Sequence, residues 1–195
     1  QVVEMYLNAY RQIFSSNPRA RYFTTHYIDA FAGSGYRARQ LTERCFEDDF
    51  NGEPAYDYLE DEQCYDYLDE ESLDNELYLQ ESSGFMEGSA IKALNLADPF
   101  NLYHFIDKDP AALTALQNYV PERLRDRVRT IPGDANSKII ELCRAIRWDN
   151  NRAVVFLDPY GLQVEWRTLE ELATTKAVDL WLLFPVGIGV NRLLT

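Results

Sequence analysis

The sequence is poor in the residues that staple a fold. Its 195 residues include three cysteines, Cys45, Cys64 and Cys143, and two histidines, His26 and His104. Three thiols cannot all pair, none stands in a CxxC, and two histidines do not complete a zinc site. A disulfide scaffold and a zinc module are therefore excluded, no metal is expected, and the thiols read as free in a reducing cytoplasm. Long hydrophobic runs are missing as well. AVVFL and LWLLFPVGIGV fall well short of the ~20 residues that a membrane helix needs, so neither a membrane segment nor a signal peptide is read here. The chain has no GK[ST] after a glycine turn, which excludes a P-loop, and its one GSG turn is not followed by the further glycine of a dinucleotide fingerprint.

What the chain does have is an ordinary core-building composition, 46% hydrophobic and 13% aromatic. At this length a compact domain buries about 70% of the surface its unfolded chain exposes and stands without staples. The formal charge of −13 is unevenly placed. Residues Leu41 to Glu87 carry 17 of the 32 carboxylates against one basic residue, Arg44, and the remaining chain, with 18 basic and 15 acidic residues, is mildly basic at +3. An acidic whole would argue against a polyanionic substrate; one acidic segment on a near-neutral body argues much less. The segment is also rich in Tyr and Leu, so it reads as an inserted lobe, 41–87, and not as a solvating tail. A solvated excursion, a docking surface for a basic partner and a lid over a site are all compatible with it.

Along the chain, VVEMYLNAYRQIF places Val3, Tyr6 or Leu7, Tyr10, and Ile13 or Phe14 on one helical stripe. RYFTTHYIDAFAGSG is a strand running into a glycine turn, and GSAIKALNLA a helix. NLYHFIDKD is a second strand, followed by the helix PAALTALQNYV with Pro110 in its first turn. RVRTIPGDAN, AVVFLDPYG and VDLWLLFPV are the remaining strands, with SKIIELCRAIRW and EWRTLEELATTK as the helices between them. Strands that are continuously apolar and alternate with helices predict an α/β fold with a doubly wound, mainly parallel, Rossmann-like sheet. The chain starts without methionine and ends soon after the fifth strand, so it is expected to be a fragment whose sheet-completing elements lie beyond Thr195.

In such a sheet ligands bind at the carboxyl ends of the strands, where the strand order reverses. Acids recur at those ends: Asp29, Asp107, Asp134 and Asp158. A desolvated acid is costly unless it meets a donor, so the series points to a polar ligand. The glycines Gly33 and Gly35 let backbone approach it closely. The pattern suits a cationic cofactor without phosphate, its ribose diol, amino group and adenine edge received by carboxylates. A nicotinamide-dependent oxidoreductase is disfavoured by the same glycine pattern. His26 and His104 lie inside strands and read as structural.

These residues resemble a family. Asp29-x-Phe31-x-Gly33-x-Gly35, the acid of FIDKD, GDAN and DPYG look like the successive motifs of class I S-adenosylmethionine-dependent methyltransferases. YIDAFAGSG, EGSAIKAL, FIDKD, GDAN, FLDPYGLQVEW and DLWLLFPVGIGVNRLLT together resemble the bacterial three-Cys-motif partner family, TcmP, over nearly the whole chain outside the acidic insertion. The resemblance implies one methyltransferase-like domain over 1–195, interrupted by 41–87, with S-adenosylmethionine as cofactor. By it, Gly33 and Gly35, with Phe31 of the same motif, lie under the methionine part, and Asp29 orients its amino group. Asp107 holds the ribose hydroxyls, and Asp134 with its neighbour Ala135 meets the adenine. Asp158, Pro159 and Tyr160 face the substrate, Asp158 and the Pro159 carbonyl accepting hydrogen bonds from an amine and Tyr160 stacking on a flat base. Ser34 stands where the methyltransferase turn commonly has proline, and DPYG lacks the second proline of [DN]PP[YF], coming closer to the DPFG of tRNA guanine-N2 methyltransferases. The implied activity is N-methylation of an amino group, with a nucleobase or nucleic acid as the acceptor. The alternative is a non-catalytic partner subunit that docks on a three-Cys-motif protein encoded nearby through the acidic insertion.

Overall fold

A computed structural model describes residues 2–37 and 86–184. The acidic segment 41–87 lies outside the described residues except for its last two, and so do Cys45, Cys64 and 185–195. Contacts divide the chain into one unit of 1–37 with 87–195 and a second of 38–86, and the first contains the large sheet and the described helices.

The chain begins with helix α1 (Val2–Ser16) and strand β1 (Thr24–Asp29), then forms a small two-stranded sheet from β2 (Tyr36–Arg37) and β3 (Met86–Glu87). There follow α2 (Ser89–Leu94), β4 (Leu102–Asp107), α3 (Pro110–Asn118), a 3-10 turn at Glu122–Arg127, β5 (Val128–Pro132), α4 (Ala135–Ala145), β6 (Asn151–Leu157), α5 (Trp166–Thr174) and β7 (Val178–Leu182). The five long strands form one sheet in the order β5-β4-β1-β6-β7. Every neighbouring pair is parallel, Asp29 lying level with Phe105 on one side and Phe156 on the other.

The apolar strands are buried on both faces, and the two-residue period of a strand sorts their side chains between two layers. Tyr27, Phe105, Val154 and Phe156 pack with Leu7 and Tyr10 of α1, Leu94 of α2 and Leu116 of α3. Their strand neighbours Ile28, Ile106, Val155 and Leu157 pack with Ile139 and Cys143 of α4 and Leu172 of α5. This is the doubly wound, Rossmann-like arrangement the sequence predicts. The chain steps outward from β1 to β4 and β5, then returns to the other side of β1 for β6 and β7, so the order reverses at β1. Asp29 and Asp107 are the last residues of their strands, and Asp134 and Asp158 follow β5 and β6 within two residues. Because the strands run in one direction, all four acids fall on one edge of the sheet.

The stripe on α1 is the expected one, with Phe14 and not Ile13 as its last member. Leu7 and Tyr10 are buried and Phe14 packs against the same cluster, whereas Ile13 is exposed. The buried position beside Tyr10 is Arg11, which pairs with Asp98 at 3.0 Å, donates to the Thr25 hydroxyl and lies over the Phe100 ring. A guanidinium is tolerated there because a carboxylate, a hydroxyl and an aromatic face meet it together. His26 and His104 are buried and stacked, with His26 Nε2 donating to Asn151 Oδ1 at 2.8 Å and His26 Nδ1 accepting from His104 Nε2 at 3.1 Å. Burial lowers both pKa values, that of His104 to about 4, so the pair stays neutral. No helix among the described residues is long and apolar enough to cross a membrane.

Candidate functional site

The site begins with the turn after β1. Asp29 is fully buried beneath it. Its Oδ2 accepts the Ser89 hydroxyl and the Tyr27 phenol, and its Oδ1 accepts the Phe31 N–H at 3.3 Å. Burial, with the Asp29 charge beside it, raises the Tyr27 pKa far above its ordinary value and keeps the phenol a donor. Gly33 and Gly35 both have positive φ, +56° and +89°. Gly35 also packs so closely that a Cβ would meet Leu116 and Ile91 at 2.8–2.9 Å, whereas a Cβ on Gly33 would point into open space. The Gly35 carbonyl accepts the Gly88 N–H at 2.8 Å, which holds the turn against the start of α2.

Asp107 ties this turn to the next strand end. Its Oδ2 accepts the Gly33 N–H at 2.8 Å and its Oδ1 accepts the Asp109 N–H at 2.9 Å. Each oxygen spends one acceptor direction on backbone and keeps a second for a ligand hydroxyl. Asp134 follows β5 and caps α4, accepting the Ser137 N–H at 3.1 Å while Lys108 approaches its other oxygen at 3.4 Å. The Ser137 N–H, and then Lys108, hold the Asp134 carboxyl below the usual carboxylate range.

Between these elements lies a cleft of about 110 Å³ bounded by Ala30, Phe31, Asp107, Lys108, Gly133, Ala135 and Gln163. It is smaller than the roughly 300–1,000 Å³ of pockets that enclose a whole ligand, so on its own it would take only part of an S-adenosylmethionine. Asp107 offers acceptors for that cofactor's diol, and Lys108 in the same lining is paired with Asp134 at 3.4 Å, so the cleft carries one acid and one neutralised base. A pyrophosphate fits poorly, because the α4 N-terminus facing the cleft is already occupied by its own carboxylate cap. Among the described residues no His, Cys, Asp and Glu cluster could hold a metal.

A second cavity, of about 370 Å³, opens beyond β6 and is walled by Pro159, Leu162, Val164, Trp166, Leu169 and Phe184. Pro159 is buried in this wall, Asp158 is half-buried directly before it, and Tyr160 is 80% exposed. The segment 162–164 separates the two cavities. Leu162 and Val164 face the larger and Gln163 the smaller. One buried side chain pins the segment: Asn136 Nδ2 donates to the Gln163 carbonyl at 2.9 Å, and Asn136 Oδ1 accepts the Glu165 N–H at 2.9 Å and the Thr168 hydroxyl at 2.7 Å.

Of the residues singled out from sequence, Phe31, Asp107 and Ala135 line the cleft, with Gly33 held to Asp107 and Asp134 bound to Lys108, another lining residue. Asp29 and Gly35 lie below, shaping the turn. Asp158, Pro159 and Tyr160 do not line the smaller cleft; Pro159 belongs to the larger cavity. Sequence reasoning passed over Ser89, Lys108, Asn136 and Gln163. GDAN contains Asn136 and FLDPYGLQVEW contains Gln163, so both lay within stretches singled out from the sequence, without an assignment.

No protein-family model matches the chain, and no curated protein matches it. Among solved structures it is similar to a crystal structure of a Legionella pneumophila protein of the family DUF519, at 13% identity and a TM-score of 0.43, over 89% of this chain and 61% of that one. The chain thus spans about three fifths of the length of that neighbour.

Proposed function

We propose that this chain is an S-adenosylmethionine-dependent N-methyltransferase of the three-Cys-motif partner type, acting in the cytoplasm on an amino group of a flat acceptor such as a nucleobase. The observation that carries the reading is the Asp107 carboxylate, bonded to the Gly33 N–H at 2.8 Å at the point where the strand order reverses. One acid there fixes the glycine turn and retains acceptor capacity toward the cleft, in a site whose helix N-terminus already carries its own acid.

When bound, the cofactor supplies a methyl group already activated by its sulfonium, so the protein's task is to hold and align. Asp107 would receive the ribose hydroxyls, Asp134 and Ala135 would flank the adenine, and the turn at Gly33 would lie under the methionine part. Asp158 and the Pro159 carbonyl would accept hydrogen bonds from the acceptor amine and orient its lone pair. The apolar cavity beside Pro159 would exclude water from the acceptor ring, and the exposed Tyr160 is free to close over that ring.

A second reading, a docking subunit for a three-Cys-motif protein, is favoured by the 17 carboxylates gathered in 41–87 against one basic residue. Incubation with methyl-tritiated cofactor and total cellular nucleic acid separates the two. Incorporation that Asp158→Ala abolishes supports the enzyme. Absence of incorporation, with deletion of 41–87 abolishing capture of a three-Cys-motif protein, supports the docking subunit.

A further inference from the structure

The two cavities share the stretch 162–164, and their side chains alternate across it: Leu162 and Val164 on the apolar side, Gln163 on the Asp107 side. The stretch is in no regular element, so its position depends on bonds other than a sheet ladder. Asn136 supplies one to the Gln163 carbonyl and two more to Glu165 and Thr168, which follow it. It is the second residue of α4, immediately after the cleft residue Ala135 and the cap Asp134. A buried amide that donates to the Gln163 carbonyl and accepts from the α5 cap Glu165 and the α5 residue Thr168 ties the segment to the start of that helix, because losing any of these bonds strands a polar group away from water.

We propose that Asn136 is a positioning residue that couples the two cavities, so that filling the Asp107 cleft sets the geometry of the apolar pocket in which the acceptor is held. The inference rests on the methyltransferase reading and deepens it: cofactor occupancy organises the acceptor site through Gln163 and its carbonyl. The coupling is reciprocal, so an occupant of the apolar pocket tightens cofactor binding by the same factor. Trp166 reports on it, since its ring lines the apolar pocket while its backbone begins α5 next to the Asn136-bound Glu165.

The test uses the full chain labelled with 5-fluorotryptophan, with the Trp166 fluorine resonance identified by Trp166→Phe and S-adenosylhomocysteine as the probe, calorimetry running in parallel. Asn136→Asp is the informative variant. Its carboxylate still accepts from Glu165 and Thr168 but cannot donate to the Gln163 carbonyl. Gln163→Ala keeps that carbonyl and removes the side chain from the cleft, and it serves if Asn136→Asp does not fold.

In the wild type the probe moves the Trp166 line and leaves the Trp148 and Trp181 lines in place. In Asn136→Asp or Gln163→Ala the movement shrinks at least threefold, and the probe binds about tenfold more weakly. Calorimetric binding without movement of the Trp166 line overturns the coupling and leaves the cofactor reading intact. If the probe does not bind the wild type, the cofactor reading falls, and amide hydrogen exchange decides the pivot. Faster exchange confined to 163–168 in Asn136→Asp supports it, and unchanged exchange overturns it.

Discussion

The carboxylate of Asp107 accepts the backbone N–H of Gly33, a residue 74 positions away in sequence, at 2.8 Å. The end of β4 therefore determines the shape of the turn that follows β1, and through Asp109 the start of α3 as well. Asp107→Asn presents an amide in place of one oxygen and loses two charge-assisted bonds. A stability loss of about 1–3 kcal/mol is expected, read by urea denaturation at unchanged m-value.

The two glycines of the turn separate stability from binding. Gly35→Ala forces both a positive φ and contacts below 3 Å on Leu116 and Ile91, and is expected to cost about 2–4 kcal/mol. Gly33→Ala meets no atom within 4 Å, so its cost is the backbone term of about 1 kcal/mol. Its methyl nevertheless occupies the space above the turn. A folded Gly33→Ala protein that no longer binds S-adenosylhomocysteine is the expected outcome, measured by melting and calorimetry together. Binding equal to wild type would remove the space over Gly33 from the site.

Stability should fall with acid through the histidine pair. The folded pKa of His104 is lowered to about 4 from an ordinary 6.5, by burial first and then by His26 and Arg129. Between those two values the unfolded chain takes up a proton that the folded one does not. The contribution is therefore complete above about pH 6.5 and is lost as pH falls toward 4, amounting to at most about 3 kcal/mol. His104→Gln keeps an N–H for His26 Nδ1 and removes the titration. Its melting temperature should change less than the wild type's between pH 7.5 and 5.

The ion pair under α1 makes an asymmetric prediction. Arg11 is buried while Asp98 is 43% exposed. Removing the acid in Asp98→Ala leaves a guanidinium in the core with one hydroxyl partner. A loss of about 3 kcal/mol is expected, with Arg11→Met in the same background restoring part of it. Equal stability of Asp98→Ala and Asp98→Ala/Arg11→Met would contradict the ion-pair account.

The sheet was legible because its signal is local. AVVFL is a continuous apolar run and YHFI is broken only by His104, and each ends in an acid that marks the carboxyl edge. The parallel direction and the reversal at β1 then follow from chain connectivity. What escaped depends on partners far away in sequence. Arg11 sits inside because Asp98 and Thr25 meet it there, and Ser89 matters because the fold carries it to Asp29. Asn136 looks like an ordinary first-turn helix residue until its bonds to Gln163, Glu165 and Thr168 appear. The acids told of an edge, but whether each faces a ligand or holds a turn was decided by packing: Asp29 is fully buried, while Asp107 is partly accessible beside the cleft.

The most direct measurement of the cofactor assignment is the binding of S-adenosylhomocysteine to the wild-type chain and to Asp107→Ala, with NAD as control. At a hundredfold excess over the dissociation constant, the wild type should gain about 2.7 kcal/mol, seen as roughly 5 to 10 °C in melting temperature. Asp107→Ala should gain nothing, and NAD should shift neither protein. An unshifted wild type, or a stabilisation that survives in Asp107→Ala, would contradict the assignment.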